Sequence, residues 1–272
     1  MSIKEIVITP DVQYPLHDIR AVRNLWHYIK ATQPAEVLII GDFMDYAAPS
    51  RWSKGTRAEF ETDVMRESEG GQALLADLRD GYTGPIRFME GNHDARPRDY
   101  LSKYAPALAA SGAFHVETLL DFEGLGVELL KPFTEIAPGW VAMHGHELKG
   151  LSQIPGRTAA SKARKLDRSV VMGHTHKCAV SPETVGLGKD RRTLYGFEVG
   201  HLMDASKAQY LAGGVANWQA GFGRLLVGQY SAAPAPVYIE RDGSFIVDGE
   251  RYGAIKRNSR GHFVRKDFKH AA

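Results

Sequence analysis

Five times in its first 176 residues the chain repeats one pattern: a short apolar run, rich in Val and Ile, stops abruptly at a polar cluster. Ile6-Val7-Ile8-Thr9 leads to Pro10-Asp11-Val12-Gln13, and Val37-Leu38-Ile39-Ile40 to Gly41-Asp42-Phe43-Met44-Asp45. Ile86-Arg87-Phe88-Met89 leads to Gly91-Asn92-His93-Asp94, Trp140-Val141-Ala142-Met143 to His144-Gly145-His146, and Ser169-Val170-Val171-Met172 to Gly173-His174-Thr175-His176. Apolar runs of this length, bounded by turn residues, read as buried strands. Strands sharing one core would gather all five polar clusters at their C-terminal ends, where open α/β sheets hold ligands.

Helices are expected between the strands. Asp18 is a cap for a helix with Ile19, Val22, Trp26 and Ile29 on one face, ending before Pro34. Residues 58–80 predict a second helix, broken or kinked at Gly70-Gly71, and residues 100–111 a third. Further on, Thr193–Val199, Leu225–Tyr230 and Val237–Val247 read as strands, the last folding into a hairpin around Arg241-Asp242-Gly243. No repeat or linker divides the chain, so one domain is expected over residues 1–250, followed by a basic tail, 251–272.

Charge excludes a global nucleic-acid-binding field, because 34 basic residues face 32 acidic ones for a net charge of +2. Basic residues concentrate locally in 157–168 and 251–272, as solvated faces or as a cationic rim that attracts phosphate. A single cysteine, Cys178, forms no internal disulfide and fits a reducing compartment. The Ile6–Ile8 stretch falls far short of the apolar core of about 7–15 residues in a signal peptide. Residues 210–228 are interrupted by glycines, Asn217, Gln219 and Arg224, so they fail the requirement of about 20 apolar residues for a span. The expectation is a soluble cytoplasmic protein, acting in a host cytoplasm if phage-encoded, with no membrane partner.

The clusters supply hard oxygens from Asp and Asn and borderline nitrogens from His. Such a set can cage two divalent ions about 3.5–4 Å apart, which clamp the attacking and leaving oxygens of an in-line phosphoryl displacement. Within His174-x-His176, alternation along an extended backbone would point both rings one way.

Taken in order, Asp-x-Gln, Gly-Asp-x-x-Asp, Gly-Asn-His-Asp, His-Gly-His and Gly-His-Thr-His resemble the five-block signature of the calcineurin-like metallophosphoesterases, over residues 11 to 176. The resemblance implies an α/β, four-layer αββα sandwich of two mixed sheets flanked by helices, with a dinuclear site between the sheet edges. It implies that Asp42 bridges the two metals, that Asp11, Gln13 and His176 complete the ligands of the first metal, and that Asn92, His144 and His174 ligate the second metal. It also implies that His93 protonates the leaving oxygen and that Asp45 orients the His93 ring.

One position departs from that signature. The family has histidine two residues after the first aspartate, and Gln13 stands there in this chain. Either its amide oxygen is a harder, neutral ligand suited to Mn²⁺ or Mg²⁺, or it only binds a metal-bound water and leaves that ion loosely held. His17 is a possible substitute but is expected at the start of the first helix. His146 and Arg96 are candidate substrate contacts, with Arg98 beside them, whereas Trp218 and Phe222 read as core. His201 and residues 217–222 resemble a loop of small phage-type members; no catalytic role is assigned there.

The expected activity is metal-dependent hydrolysis of phosphodiesters, foremost small nucleotides such as 2′,3′-cyclic nucleotides, by attack of a metal-bridging hydroxide. Two divalent ions are expected, Mn²⁺ first, with Mg²⁺, Fe, Ni²⁺ and Zn²⁺ as alternatives. A nuclease engaging nucleic acid through the basic tail, a phosphoprotein phosphatase and a non-catalytic binding scaffold are the competing readings. About 100 residues follow the last block, and part of them must finish the second sheet, leaving little room for a capping domain. Oligomeric state is left open by the sequence.

Overall fold

A computed structural model describes residues 3–207 and 216–253. Its first half runs β1 (Lys4–Thr9), α1 (Ile19–Thr32), β2 (Glu36–Ile39), α2 (Val64–Arg79), β3 (Ile86–Met89) and α3 (Arg96–Tyr104). Three single-turn helices follow, α4 (Pro106–Ala109), α5 (Val116–Leu119) and α6 (Phe122–Leu125), then β4 (Val127–Leu130), β5 (Thr134–Ala137) and β6 (Trp140–Met143). Next come α7 (Arg157–Leu166), β7 (Ser169–Met172), β8 (Cys178–Val185) and β9 (Arg192–Val199). The described residues close with β10 (Gly221–Val227), β11 (Ala232–Tyr238), β12 (Phe245–Val247) and β13 (Glu250–Tyr252).

All five apolar runs form strands, and their two-sided burial explains why they read as continuous rather than alternating. One sheet has the order β11-β10-β1-β2-β3-β4, parallel from β1 to β4, with β10 and β11 antiparallel at the edge. A second has the order β5-β6-β7-β9-β8, with β6, β7 and β9 parallel. Ile6, Ile8, Leu38 and Met89 of the first sheet pack with Met143, Val171 and Phe197 of the second. On the outer face of the first sheet, Val7, Val37, Ile39 and Phe88 bury α1 and α2 through Val22, Leu25, Trp26, Leu75 and Leu78. Helix α7 covers the second sheet, which completes an αββα sandwich.

Local signals place the helices that frame the site. Asp18 caps α1 by accepting from the Arg20 and Ala21 amides, and Gln33 ends it in the left-handed region just before Pro34. The expected helix over 58–80 is shorter: a 3₁₀ turn over Arg57–Phe60 stops, and Asp63 caps a fresh start at Val64. It runs unbroken through Gly70-Gly71, where a Cβ would overlap the Tyr14 hydroxyl and the Met44 sulfur respectively. Those glycines serve close packing against two loops of the site, not a kink. The helix expected over 100–111 is two pieces, because Pro106 forces Ala105 out of helical geometry.

The hairpin expected over Val237–Val247 does not form. Strand β11 pairs with β10, and β12 pairs instead with β13. Residues 240–243 do turn, but Asn24 of α1 donates to the Gly243 carbonyl at 2.8 Å and draws the chain onto that helix. Phe245 and Val247 are then buried in the α1-side core. The basic segment lies outside the described residues from position 254 on, as do residues 208–215. Among the described residues no helix is long and apolar enough to cross a membrane.

The contact between α7 and β9 carries a direct test. Ala159, Ala160 and Ala163 let the helix lie against the strand, and a Cβ on Gly196 would overlap the Ala160 backbone nitrogen. A backbone clash cannot be relieved by a rotamer change, so Gly196→Ala is expected to cost about 3 kcal/mol or more in urea unfolding. A smaller loss would show that α7 can ride up without penalty.

Candidate metal centre

The polar clusters meet where the C-terminal ends of β1, β2 and β3 face those of β6 and β7. They do so through an unusual backbone. Asp11 (φ 22°), Gln13 (φ 52°), Asp42 (φ 50°), His174 (φ 65°) and His176 (φ 57°) all have positive φ. Non-glycine residues seldom adopt this region, and such strain gathers at functional sites. The expectation of an extended His174-x-His176 segment is therefore wrong, and its two rings part company. His174 lies with Asp42 and His144, their ligating atoms all within 4.8 Å of one another. His176 joins Asp11, with Nε2 3.3 Å from Asp11 Oδ1 and 3.4 Å from Gln13 Nε2.

The first of these groups is electrostatically tight. Asp42 is fully buried; its Oδ1 accepts from the His93 amide at 2.8 Å and its Oδ2 lies 3.2 Å from His144 Nε2. His144 Nδ1 donates to the Ile40 carbonyl at 2.8 Å, which aims Nε2 inward. Burial alone would favour a neutral ring, but the Asp42 carboxylate pushes His144 up to about 10. In return, against its own desolvation, Asp42 is held well below the usual carboxylate range by His144 and His93. Burial, reinforced by His144, pushes His174 down to about 4, which keeps that imidazole neutral and able to ligate.

The second group is tied to the first through Asp11, whose two oxygens accept from the His174 amide at 3.1 and 3.0 Å. Gln13 stands beside His176, at the position the altered motif predicts, and its Oε1 is buried without a hydrogen-bond partner. Asn92 Oδ1 is equally buried and unpartnered. Buried polar oxygens are normally satisfied, and two orphans beside buried carboxylates and imidazoles are a donor set that fits hard-to-borderline divalent cations. His17 does not take over from Gln13; its ring stacks on Tyr14 at 5.3 Å, at the start of α1.

Beside the cage, His93 Nδ1 donates to Asp45 Oδ1 at 2.9 Å, and its Nε2 lies 3.8 Å from Asp42 Oδ2. Arg96 is joined to this pair. It donates to the Asp45 carbonyl at 2.6 Å and to His93 Nε2 at 2.9 Å, which fixes that nitrogen as an acceptor. Arg98 turns elsewhere and pairs with Glu90 at 2.7 Å. His146 is exposed at the mouth, its ring 5.4 Å from that of His144.

Several residues that matter here escape sequence reasoning. Asp94, wholly buried, accepts from the Gly91 and Met44 amides and pins the third loop to the second. Glu198, also wholly buried, takes the first amides of α7 and the Thr175 hydroxyl at 2.8 Å, and so holds the residue between the two histidines. A lone carboxylate inside the apolar strand β9 is the signal that could have exposed it. Trp218 is not core as expected: it lines the cleft with its ring 4.4 Å from His176. Phe222 is core. His201 packs its ring 5.2 Å from His176 and is pushed down to about 3 by burial and by that neighbour.

Glu67 of α2 also lines the cleft, and burial pushes it up to about 7, helped by Asp45 and offset in part by Thr62, the Tyr46 amide and Arg96. A carboxyl raised on folding gives stability that is whole below its unfolded value of 4.5 and is lost as pH climbs through 7. Glu67→Gln is therefore expected to match the wild type near pH 4 and to exceed it by about 2 kcal/mol at about pH 8. Guanidinium unfolding at both values checks this; an equal offset at both would refute the assignment.

Residues 5–178 match the family model for the calcineurin-like phosphoesterases. The Gene 54 proteins of Mycobacterium phages L5 and D29 are each 44% identical over 251 residues, covering 90% of this chain and 97% of theirs. Vacuolar Protein Sorting 29 from Cryptosporidium parvum aligns over 92% of this chain and 98% of its own, with 16% identity and a TM-score of 0.49. All five polar loops fall inside the matched segment, and the chain belongs to the calcineurin-like phosphoesterase family.

Proposed function

We propose that this protein is a metal-dependent phosphodiesterase acting on nucleotide diesters, from 2′,3′-cyclic nucleotides upward in size, with two divalent ions and Mn²⁺ as the first choice. The observation that carries the reading is the meeting of two ligand groups, Asp42-His144-His174 and Asp11-Gln13-His176, joined by the contact between Asp11 and the His174 amide. Asp42, Asp11, Gln13 and His176 would hold one ion, and Asp42, Asn92, His144 and His174 the other. Bound there, the ions supply an activated water and positive charge for the oxygens on phosphorus.

The chain's own residues supply the rest. Asp45 fixes the His93 ring, so that Nε2 faces the cleft beside Asp42. At rest the Arg96 guanidinium occupies that nitrogen. An incoming phosphoryl oxygen is a stronger, charged acceptor for Arg96 than a neutral imidazole is. Drawing Arg96 to the substrate frees Nε2 to carry a proton and deliver it to the departing oxygen. His146, at the opposite lip, is a further phosphate contact. The phage relatives and the lone cysteine support action in a host cytoplasm.

The decisive assay strips the protein with chelator, reloads it with Mn²⁺, Mg²⁺, Fe²⁺, Ni²⁺ or Zn²⁺, and follows bis-p-nitrophenyl phosphate and 2′,3′-cyclic AMP. Turnover that appears only on reloading, with Mn²⁺ best, is expected. Turnover by the stripped protein would overturn the metal assignment, and no hydrolysis with any ion, of either substrate or of a phosphopeptide, would leave a binding scaffold.

A further inference from the structure

Among the described residues, two cavities flank the ligand cage. One, of about 550 Å³, opens past Asn92, His146 and His174. The other, of about 760 Å³, opens past Gln13, His93, His176 and Trp218. Ser50, Trp52, Arg96 and His174 border both, so the two chambers meet where a phosphate would bind. Each has the volume of a site for a nucleotide-sized ligand, at about 300–1,000 Å³.

Their walls differ from an ordinary charged surface. Trp52 stands on the ridge between the chambers, 76% exposed, with the Arg51 guanidinium 4.7 Å from its ring centre. Behind it, in the smaller chamber, Tyr100 and Tyr104 pack ring to ring at 4.8 Å, and Lys103 lies 5.1 Å from the Tyr104 ring. Arg51, Arg96 and Lys103 outnumber Asp99, which is itself paired with Arg98. Aromatic rings alternating with cations are what a strand of bases and phosphates needs, because every base has a face to stack and every linkage a charge to meet. The larger chamber offers one ring, Trp218, and its cations, Arg96 and Lys207, share the wall with Glu61 and Glu67.

We infer that the cleft takes a single-stranded oligonucleotide, threaded with its scissile phosphate at the ligand cage and a nucleoside in each chamber. The inference deepens the phosphodiesterase reading and rests on it. A cyclic mononucleotide would fill only one chamber, a phosphomonoester neither fully, and duplex DNA has no free base faces to offer Trp52.

Binding tests this without turnover. The full chain, loaded with Mn²⁺, is titrated into fluorescein-labelled octathymidylate whose phosphorothioate linkages resist cleavage, and followed by anisotropy at several salt concentrations. The oligonucleotide is expected to bind, and Trp52→Ala to weaken it about tenfold while keeping the wild-type melting temperature, since that ring is exposed. Arg51→Ala combined with Lys103→Ala is expected to flatten the dependence of log K on log salt by about 1.4, for two lost phosphate contacts at about 0.7 each. Absence of binding would overturn the inference. So would unchanged affinity and slope in these variants, which would place the contact elsewhere, or equal competition by 2′,3′-cyclic AMP or by duplex DNA. Failure of the phosphodiesterase reading shows separately, as absence of bis-p-nitrophenyl phosphate hydrolysis by the metal-loaded wild type.

Discussion

Asp42→Asn is expected to empty the site of cations and to lower turnover on the order of 10³-fold or more, with the fold intact. The substitution keeps the size of the side chain and an oxygen for the His93 amide, which now binds at 2.8 Å. What it removes is the carboxylate proposed to bridge both ions. His144, pushed up to about 10 chiefly by that carboxylate in opposition to its burial, then loses its partner and returns to the neutral form at physiological pH. Metal analysis of dialysed protein gives the first readout and hydrolysis of bis-p-nitrophenyl phosphate the second. An imidazole titration of His144 in the stripped variant, moved toward neutrality, isolates the electrostatic cause. Full Mn²⁺ content with turnover within tenfold of wild type would show that Asp42 bridges nothing.

His93→Ala should separate chemistry from metal binding. The ring touches no second ligand group; its contacts are Asp45, Arg96 and the edge of Asp42. Metal content is expected to stay at the wild-type level while kcat falls by about 10²–10⁴ on nucleotide diesters. The loss should shrink sharply for p-nitrophenyl esters, whose leaving group departs readily as an anion and needs little proton donation. That contrast is the diagnostic, because a structural defect or a lost ligand would penalise both substrates alike. Equal losses on both, accompanied by loss of metal, would make His93 a ligand instead.

The two substitutions probe residues whose positions the sequence made plain for a simple reason. Asp42, Asn92, His93 and His144 each follow a buried strand within a few residues, so a run of Val and Ile fixes where their loops must emerge. Capping is equally local: Asp18 and the left-handed Gln33 bracket α1 through contacts within four residues. Features decided by distant partners were not legible. The divergence of His174 and His176 depends on Glu198 gripping Thr175 and on Asp11 taking the His174 amide, the latter across 163 residues. Gly70-Gly71 looks like a helix breaker until Tyr14 and Met44 are seen to press against it. Arg241-Asp242-Gly243 is a true turn, yet Asn24 on a helix 219 residues earlier decides where the following strand goes. Trp218, an aromatic in a glycine-rich stretch, carried no mark separating a cleft wall from a core.

Because the ligand loops come from both sheets, three from one side of the sandwich and two from the other, occupancy of the centre and cohesion between the halves are thermodynamically a single quantity. Whatever cation settles there rivets the layers together, adding about 2.7 kcal/mol when its free concentration is a hundred times the dissociation constant. By the same reciprocity, heat, pressure or a partner that pries the halves apart must also expel the ions. Melting temperature against metal concentration would thus serve as a binding isotherm needing no substrate at all.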